Sequence, residues 1–350
     1  MSEWAPDPTA RTLLIHSMNP ARIDSNAITQ LILKTKDEDP ILNTALSTLT
    51  LHAQEPISES AKIQLLKRFS TLLVSHASSE THSLCNLLLR RFGQNPSVEV
   101  TENSDALKTA SLRNWYINSL GMCMIVIRPA ELNRRSPKLA QHAPDYDFAI
   151  SSTEVTQFQM EQLVPEWRER AQSENTPDDW PAGVVDINDM EAFCLRLSER
   201  ERVAETEWCY SEFDNLKIQH SQAVAGYLQK SGYRIPTDEE WLYACRCCTT
   251  TPISTGNDWS FLNQYAWALP LSGGKCQPVA TLLPNRLGLF DCYGNICETC
   301  FTQVGAMGEY QSHGGSFFSP LTELQTDTIA SFVPGAVGKR NGLRVVRTHR

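Results

Sequence analysis

Apolar residues recur at helical spacing through roughly the first ninety positions and at strand spacing after residue 113, and this switch divides the chain. Ala27, Ile28, Leu31 and Ile32 fall on one stripe. Asp39-Pro40 reads as an N-cap followed by proline at the first helical position, ahead of Ile41, Ala45, Leu46 and Leu49. Leu65, Leu66, Phe69, Leu72 and Leu73 mark a third helix, and Leu84, Leu87, Leu88 and Arg91 a fourth that Gly93 is placed to end. The pattern predicts a small all-α domain over residues 1–93, either stacked helical hairpins of the HEAT type or a plain bundle. Residues 94–112 lose periodicity and turn to Asn, Pro, Ser, Glu and Thr, which predicts a linker open to proteolysis.

Residues 113–350 mix both periods and predict an α+β domain. Trp115-Tyr116-Ile117 and Met122 to Ile127 flank Gly121 as a hairpin closed by Pro129, with 131–146 as polar loop. Phe148 to Ser151 is a strand entering a helix whose start carries Thr156 and Gln159 at capping-box spacing. Trp180 to Val185 reads as a short strand, and Asn188 with Glu191 as another capping box. Met190, Phe193, Cys194 and Leu197 then bury one helix face, with Cys194 as core. In Gly232 to Trp241, Thr237 and Glu240 cap a helix whose Trp241, Ala244 and Cys245 face inward; capping accounts for Asp238, Glu239 and Glu240 without acid–base chemistry. Between Pro284 and Cys300, Leu287 and Leu289 alternate like a strand, Gly294-Asn295 offers a turn, and a strand follows.

Composition narrows the function. The 350 residues are 41% hydrophobic and carry a formal charge of −9, which argues against a phosphate-tracking surface and hence against nucleic acid as partner. Arg344, Arg347, His349 and Arg350 at the end read as a solvated basic cluster. No apolar run reaches the roughly 20 residues of a membrane span, and the start lacks a secretory pattern. Eleven irregularly spaced cysteines suit reduced thiols, so a cytoplasmic protein without membrane contact is expected.

Candidate chemistry is sparse. Cys297-Glu298-Thr299-Cys300 has zinc-knuckle spacing, with Cys292, Cys245, Cys247 and Cys248 as further thiols. On a strand, however, Cys297 and Cys300 point to opposite faces, so buried structural thiols are expected instead. His313 and Ser316 with a carboxylate could be assembled into a hydrolytic triad, but nothing in the sequence gives the geometry for one, and a surface or strand-pairing role is expected for His313.

Five segments in order carry a resemblance over residues 113–350: Phe148 to Phe158, Gly232 to Trp241, Pro284 to Cys300, His313-Gly314-Gly315-Ser316-Phe317, and Asn341 to Arg347. They resemble the signatures of the formylglycine-generating enzyme, or sulfatase-modifying factor, superfamily. Cys297 and Thr299 stand where the family has tryptophans, and His313 where it has arginine. The resemblance implies a loop-rich fold related to C-type lectins. It also implies a calcium site with oxygens from Asp291, Gly294, Ile296 and Glu298. In active relatives two cysteines after Gly-Gly-Ser hold copper for oxidation of a sulfatase cysteine to formylglycine. Those positions are Ser319 and Leu324 here, and no cysteine follows Cys300. Soft Cu(I) selects sulfur ligands, so the expectation is a module that binds a protein, peptide or small ligand without copper chemistry. The alternative is the copper oxidase itself.

Overall fold

Strand alternation sorts the apolar residues of the central sheet onto two buried faces. The structure, a computed structural model, describes residues 7–17, 24–54, 56–98, 113–135, 143–171, 177–210, 212–213, 217–218, 226–304, 307–326, 330–331 and 341–349. Its helices are α1 (Thr9–Ser17), α2 (Ser25–Lys34), α3 (Ile41–Leu51), α4 (Glu59–Ser75), α5 (Ser79–Arg91), α6 (Pro129–Arg135), α7 (Gln157–Leu163), α8 (Glu166–Ala171), α9 (Ile187–Arg200) and α10 (Asp238–Arg246). Its strands are β1 (Trp115–Ile117), β2 (Cys123–Ile127), β3 (Phe148–Ser151), β4 (Glu212–Phe213), β5 (Lys217–Ile218), β6 (Tyr233–Arg234), β7 (Ala266–Trp267), β8 (Tyr293–Gly294), β9 (Cys297–Val304), β10 (Met307–His313), β11 (Ala330–Ser331), β12 (Asn341–Gly342) and β13 (Val346–Thr348).

The main sheet runs β1-β2-β3-β13-β6 with antiparallel neighbours. Trp115, Ile117, Ile125, Ile127, Phe148, Ile150 and Val346 join one apolar cluster, which continues into α2–α5 and α10. Tyr116, Met124, Val126, Ala149, Tyr233 and Val345 join a second, covered by α7, α8 and α9. A sheet buried on both faces explains why Met122 to Ile127 is apolar without interruption. A second sheet runs β11-β10-β9-β12, in which β12 lies parallel to β9.

The amino-terminal helices obey the periodicity. Ile28 and Ile32 are buried on α2, although Leu31 on the same stripe is exposed. Asp39 caps α3 from one position earlier than expected, its side chain accepting from Ile41 N at 3.0 Å with Pro40 at the cap position. Gly93, at φ 75°, ends α5 in a Schellman motif, with Gln94 N donating to Leu89 O and Gly93 N to Arg90 O. These helices share their core with the sheet. The His82 ring stacks on Trp115 at 3.7 Å, and Trp115 Nε1 donates to His76 O at 2.9 Å. Ser83 Oγ donates to Gly288 O at 2.8 Å. Gly288 is constrained twice, by φ +89° and because a Cβ would stand 2.7 Å from Ser79 O. The expected linker lies largely outside the described residues.

Several expectations shift. α6 covers Pro129–Arg135, so residues 131–135 are helical where polar loop was expected. Trp180 to Val185 makes a single bridge, Thr156 to Pro181, instead of a strand. The cap of α9 is Asp186 with Asp189, two residues before Asn188 and Glu191, because Asp186 has the extended backbone an N-cap requires. Leu287 and Leu289 lie in a turn, not a strand. Asn285 holds it, accepting from Leu287 N and Leu289 N and donating to Ala244 O and Cys245 O. The capping boxes at Thr156–Gln159 and Thr237–Glu240 form with both reciprocal bonds.

Candidate functional site

Left-handed backbone at Asp291 (φ 56°), Gly294 (φ 78°) and Asn295 (φ 54°) folds the segment before β9 into a tight turn. A Cβ on Gly294 would collide with the Trp267 carbonyl, so only glycine fits there. Asn295 is buried and holds both sides of the turn. Its Oδ1 accepts from Gln277 N at 2.8 Å, its backbone carbonyl accepts from Phe317 N at 2.9 Å, and its Nδ2 donates to Glu154 Oε2 at 3.4 Å.

Arg344 is the cation of this region and is fully buried, contrary to the solvated end expected for the carboxy-terminal basic cluster. Arg347 is also buried, and Arg350 lies outside the described residues. The basic cluster misleads because β12 and β13 belong to different sheets and Arg344 sits on the crossing between them. Arg344 Nε donates to Glu298 Oε2 at 2.7 Å and Nη2 to Glu298 Oε1 at 2.6 Å. Its Nη1 donates to Ser151 O and Nη2 also to Phe290 O, each at 2.8 Å. Trp241 Nε1 donates to Glu298 Oε2 at 2.6 Å. Arg344 thus ties the β3 end, the Asn295 turn and β9 together.

Two further carboxylates are buried beside this pair. Asp291 Oδ2 accepts from Ala280 N at 2.7 Å, while Oδ1 has no hydrogen-bond partner; Glu154 Oε1 likewise has none. Burial raises the Asp291 carboxyl to about 6, opposed by Ala280 N and Arg344. Burial also pushes Glu154 well above the ordinary carboxylate range, reinforced by Asp291 and Glu298. Glu154 and Arg344 were invisible as site residues because nothing near either in sequence indicates its partner.

The calcium expectation meets a divided donor set. Asp291 offers a buried oxygen without a partner, which suits a hard cation. Both oxygens of Glu298 are already engaged by Arg344 and Trp241 and would have to exchange partners. Gly294 and Ile296 lie on the turn between them, with Ile296 buried.

Ser319 and Leu324, which the resemblance sets at the family's copper-cysteine positions, converge. Gly315, at φ +71°, lies between them; a Cβ there would strike Leu324 and stand 3.1 Å from Ser319 Oγ. Ser319 Oγ accepts from Ser316 N at 3.1 Å, and Leu324 is buried. The place therefore carries a hydroxyl and an isobutyl group. Cys297 and Cys300 do lie on opposite faces of β9, opposite Asn341 and Gln311. None of the eleven cysteines forms a disulfide. Cys245 donates weakly to Cys292 O at 3.9 Å, and burial raises Cys245 and Cys247 well above the ordinary thiol range.

His313 pairs within β10 as expected but is fully buried, not on the surface. Its Nε2 lies 2.7 Å from Asp238 Oδ1, and its ring stacks on Trp241 at 5.0 Å. Ser316 Oγ accepts from Phe318 N instead of joining it in a triad.

Residues 122–349 match the family model described as the sulfatase-modifying factor enzyme 1-like domain, and the chain belongs to that family. The chaperone protein LppX of Paenibacillus barcinonensis is 26% identical over 147 residues, covering 34% of this chain and 50% of that protein. The chain thus spans about half the length of this curated relative. Among solved structures, the Treponema denticola variable protein 1 matches with a TM-score of 0.48 at 23% identity, over 57% of this chain and 84% of that one. PvdO from Pseudomonas aeruginosa matches with a TM-score of 0.46 at 17% identity, over 67% and 97%. CarF matches with a TM-score of 0.46 at 26% identity, over 58% and 86%. Among the described residues no helix is long and apolar enough to cross a membrane.

Proposed function

We propose that this chain is a binding module of the sulfatase-modifying factor family that does not perform copper-dependent formylglycine formation. The observation that carries this reading is the pair Ser319 and Leu324, which flank Gly315 and which the resemblance matches to the two copper thiolates. A hydroxyl and an aliphatic side chain cannot replace two sulfurs for Cu(I), and the sequence has no cysteine after Cys300. What remains is a scaffold of rigid sheets carrying long loops, suited to holding a protein, a peptide or a small ligand. Reduced cysteines support a cytoplasmic setting as part of the same proposal. In the test, purified protein loaded with Cu(I) under air is incubated with a Cys-x-Pro-x-Arg peptide and followed by mass spectrometry. The peptide stays unchanged; formylglycine in the product would establish the oxidase instead.

Calcium belongs to this proposal as a structural ion, supported by the unpartnered oxygen of Asp291. The engagement of Glu298 by Arg344 weighs against it. Chelator-treated protein should melt higher on adding calcium, and Asp291→Asn should remove the effect. An unchanged melting temperature in the parent protein would sink the calcium reading and leave the binding module standing.

A further inference from the structure

We propose that Asp238, Cys300 and His313 form a metal site for a borderline divalent ion of the zinc type, separate from the family's copper and calcium positions. The three residues come from three elements: the first turn of α10, the middle of β9 and the end of β10. One ligand atom from each lies within 4.8 Å of the others. A tetrahedral ion with bonds of about 2.0–2.3 Å sets its ligand atoms roughly 3.3–3.7 Å apart. The site closes with shifts of about an ångström, the His313–Asp238 contact opening from 2.7 Å as its proton leaves.

The elements hold these side chains in place. Asp238 is fixed at the helix start by the Thr237–Glu240 capping box, Cys300 by pairing with Gln311, and the His313 ring by stacking on Trp241. His313 Nε2, which faces Asp238, is the ligating nitrogen, and Nδ1, buried without a hydrogen-bond partner, carries the ring proton in the loaded site. Cys300 is fully buried, its thiol donating only weakly to Glu298 O at 4.0 Å. Thiolate, carboxylate and neutral imidazole together carry two negative charges, which a divalent ion cancels. Burial that penalises each anion alone then favours the loaded site. Arginine, the usual family residue at position 313, could not serve as a ligand; histidine can. Three protein ligands leave a fourth position, and the Asp238 side chain, 15% exposed, gives that side access to water or a small ligand.

The experiment titrates chelator-treated, reduced full-length protein with Co2+ and then Zn2+. One equivalent of Co2+ should produce a thiolate charge-transfer band with tetrahedral visible bands, and Zn2+ should erase them. Cys300→Ser and His313→Arg abolish the band, Asp238→Asn weakens binding tenfold or more, and Cys297→Ser leaves it intact. A missing band at one equivalent, or a band that survives Cys300→Ser, overturns the proposal. Should the variants fail to fold by circular dichroism, zinc X-ray absorption on the unaltered protein decides. One sulfur neighbour with nitrogen and oxygen supports the site; two or more sulfurs refute it.

Discussion

Two buried arginine–glutamate pairs meet Trp241, one through its neighbour Glu240 and one through its indole bond to Glu298, and they differ in reach along the chain. Arg234 and Glu240 are six residues apart, meeting through two bonds of 2.6 Å within one motif. Glu240 also accepts from Thr237 N at 2.9 Å, so the same carboxylate closes the capping box of α10. Arg344 and Glu298 are 46 residues apart and join the two sheets. Glu298 bears a second load from the Trp241 indole, and Arg344 reaches two carbonyls besides. The local pair secures one helix start and, through Arg234 Nη2 donating to Thr348 Oγ1 at 3.2 Å, the neighbouring strand, whereas the distant pair secures the relation between the two sheets. Its loss should therefore be felt through the whole domain.

The sharpest way to break this contrast is Arg344→Ala. It strands Glu298 beside Asp291 and Glu154 and should cost about 3–5 kcal/mol, read from urea unfolding. Replacing both partners of the pair by apolar residues should recover much of that loss, since most of the cost is an uncompensated buried charge. A loss under about 1 kcal/mol would show that the pair does not hold the layers together.

Next in size is a pH effect confined to the same region. The Asp291 carboxyl, raised by burial to about 6 from an ordinary 3.8, binds its proton more tightly in the native chain than in the unfolded one. Its favourable contribution is therefore complete below pH 3.8 and is lost as pH rises to about 6. The amount is of order 3 kcal/mol. Asp291→Asn should remove that slope, measured as the difference between parent and variant stabilities across the window in the presence of chelator. A difference that stays constant with pH would show that Asp291 ionises freely.

On the local side, Glu240→Gln keeps a group able to close the capping box but removes the charge facing Arg234. It should cost about 3 kcal/mol, at the low end of the range for breaking a buried pair because the amide oxygen still accepts from Arg234. Equal losses from the two variants would erase the distinction drawn here. Smallest is Thr237→Ala, which removes one cap bond and should lower stability by about 1 kcal/mol, visible as a small fall in the urea midpoint.

The same division separates what was legible in the chain from what was not. Helix starts at Thr156 and Thr237, the end of α5 at Gly93, the hairpin around Gly121 and the buried face of α9 all rest on residues within a few positions of one another, where backbone geometry and capping chemistry act directly. The order of five family signatures likewise pointed to the fold, and the model match over residues 122–349 agrees. Near-neighbour chemistry also misled where two local solutions competed. Asp186 took the cap from Asn188, and Asn285 folded Leu287 and Leu289 into a turn because its side chain reaches four backbone groups at once.

By itself the sequence determined the helical start of the chain, the α+β character of the remainder, and the lack of any cysteine after Cys300, because each depends on residue type and short spacing. The tertiary structure alone decided that Arg344 is buried against Glu298, that Asp291 and Glu154 keep unpartnered oxygens, and that Asp238, Cys300 and His313 converge. A charge changes its meaning when it leaves water, and the contacts that remove it from water join residues tens of positions apart. No local pattern in the chain encodes that distance.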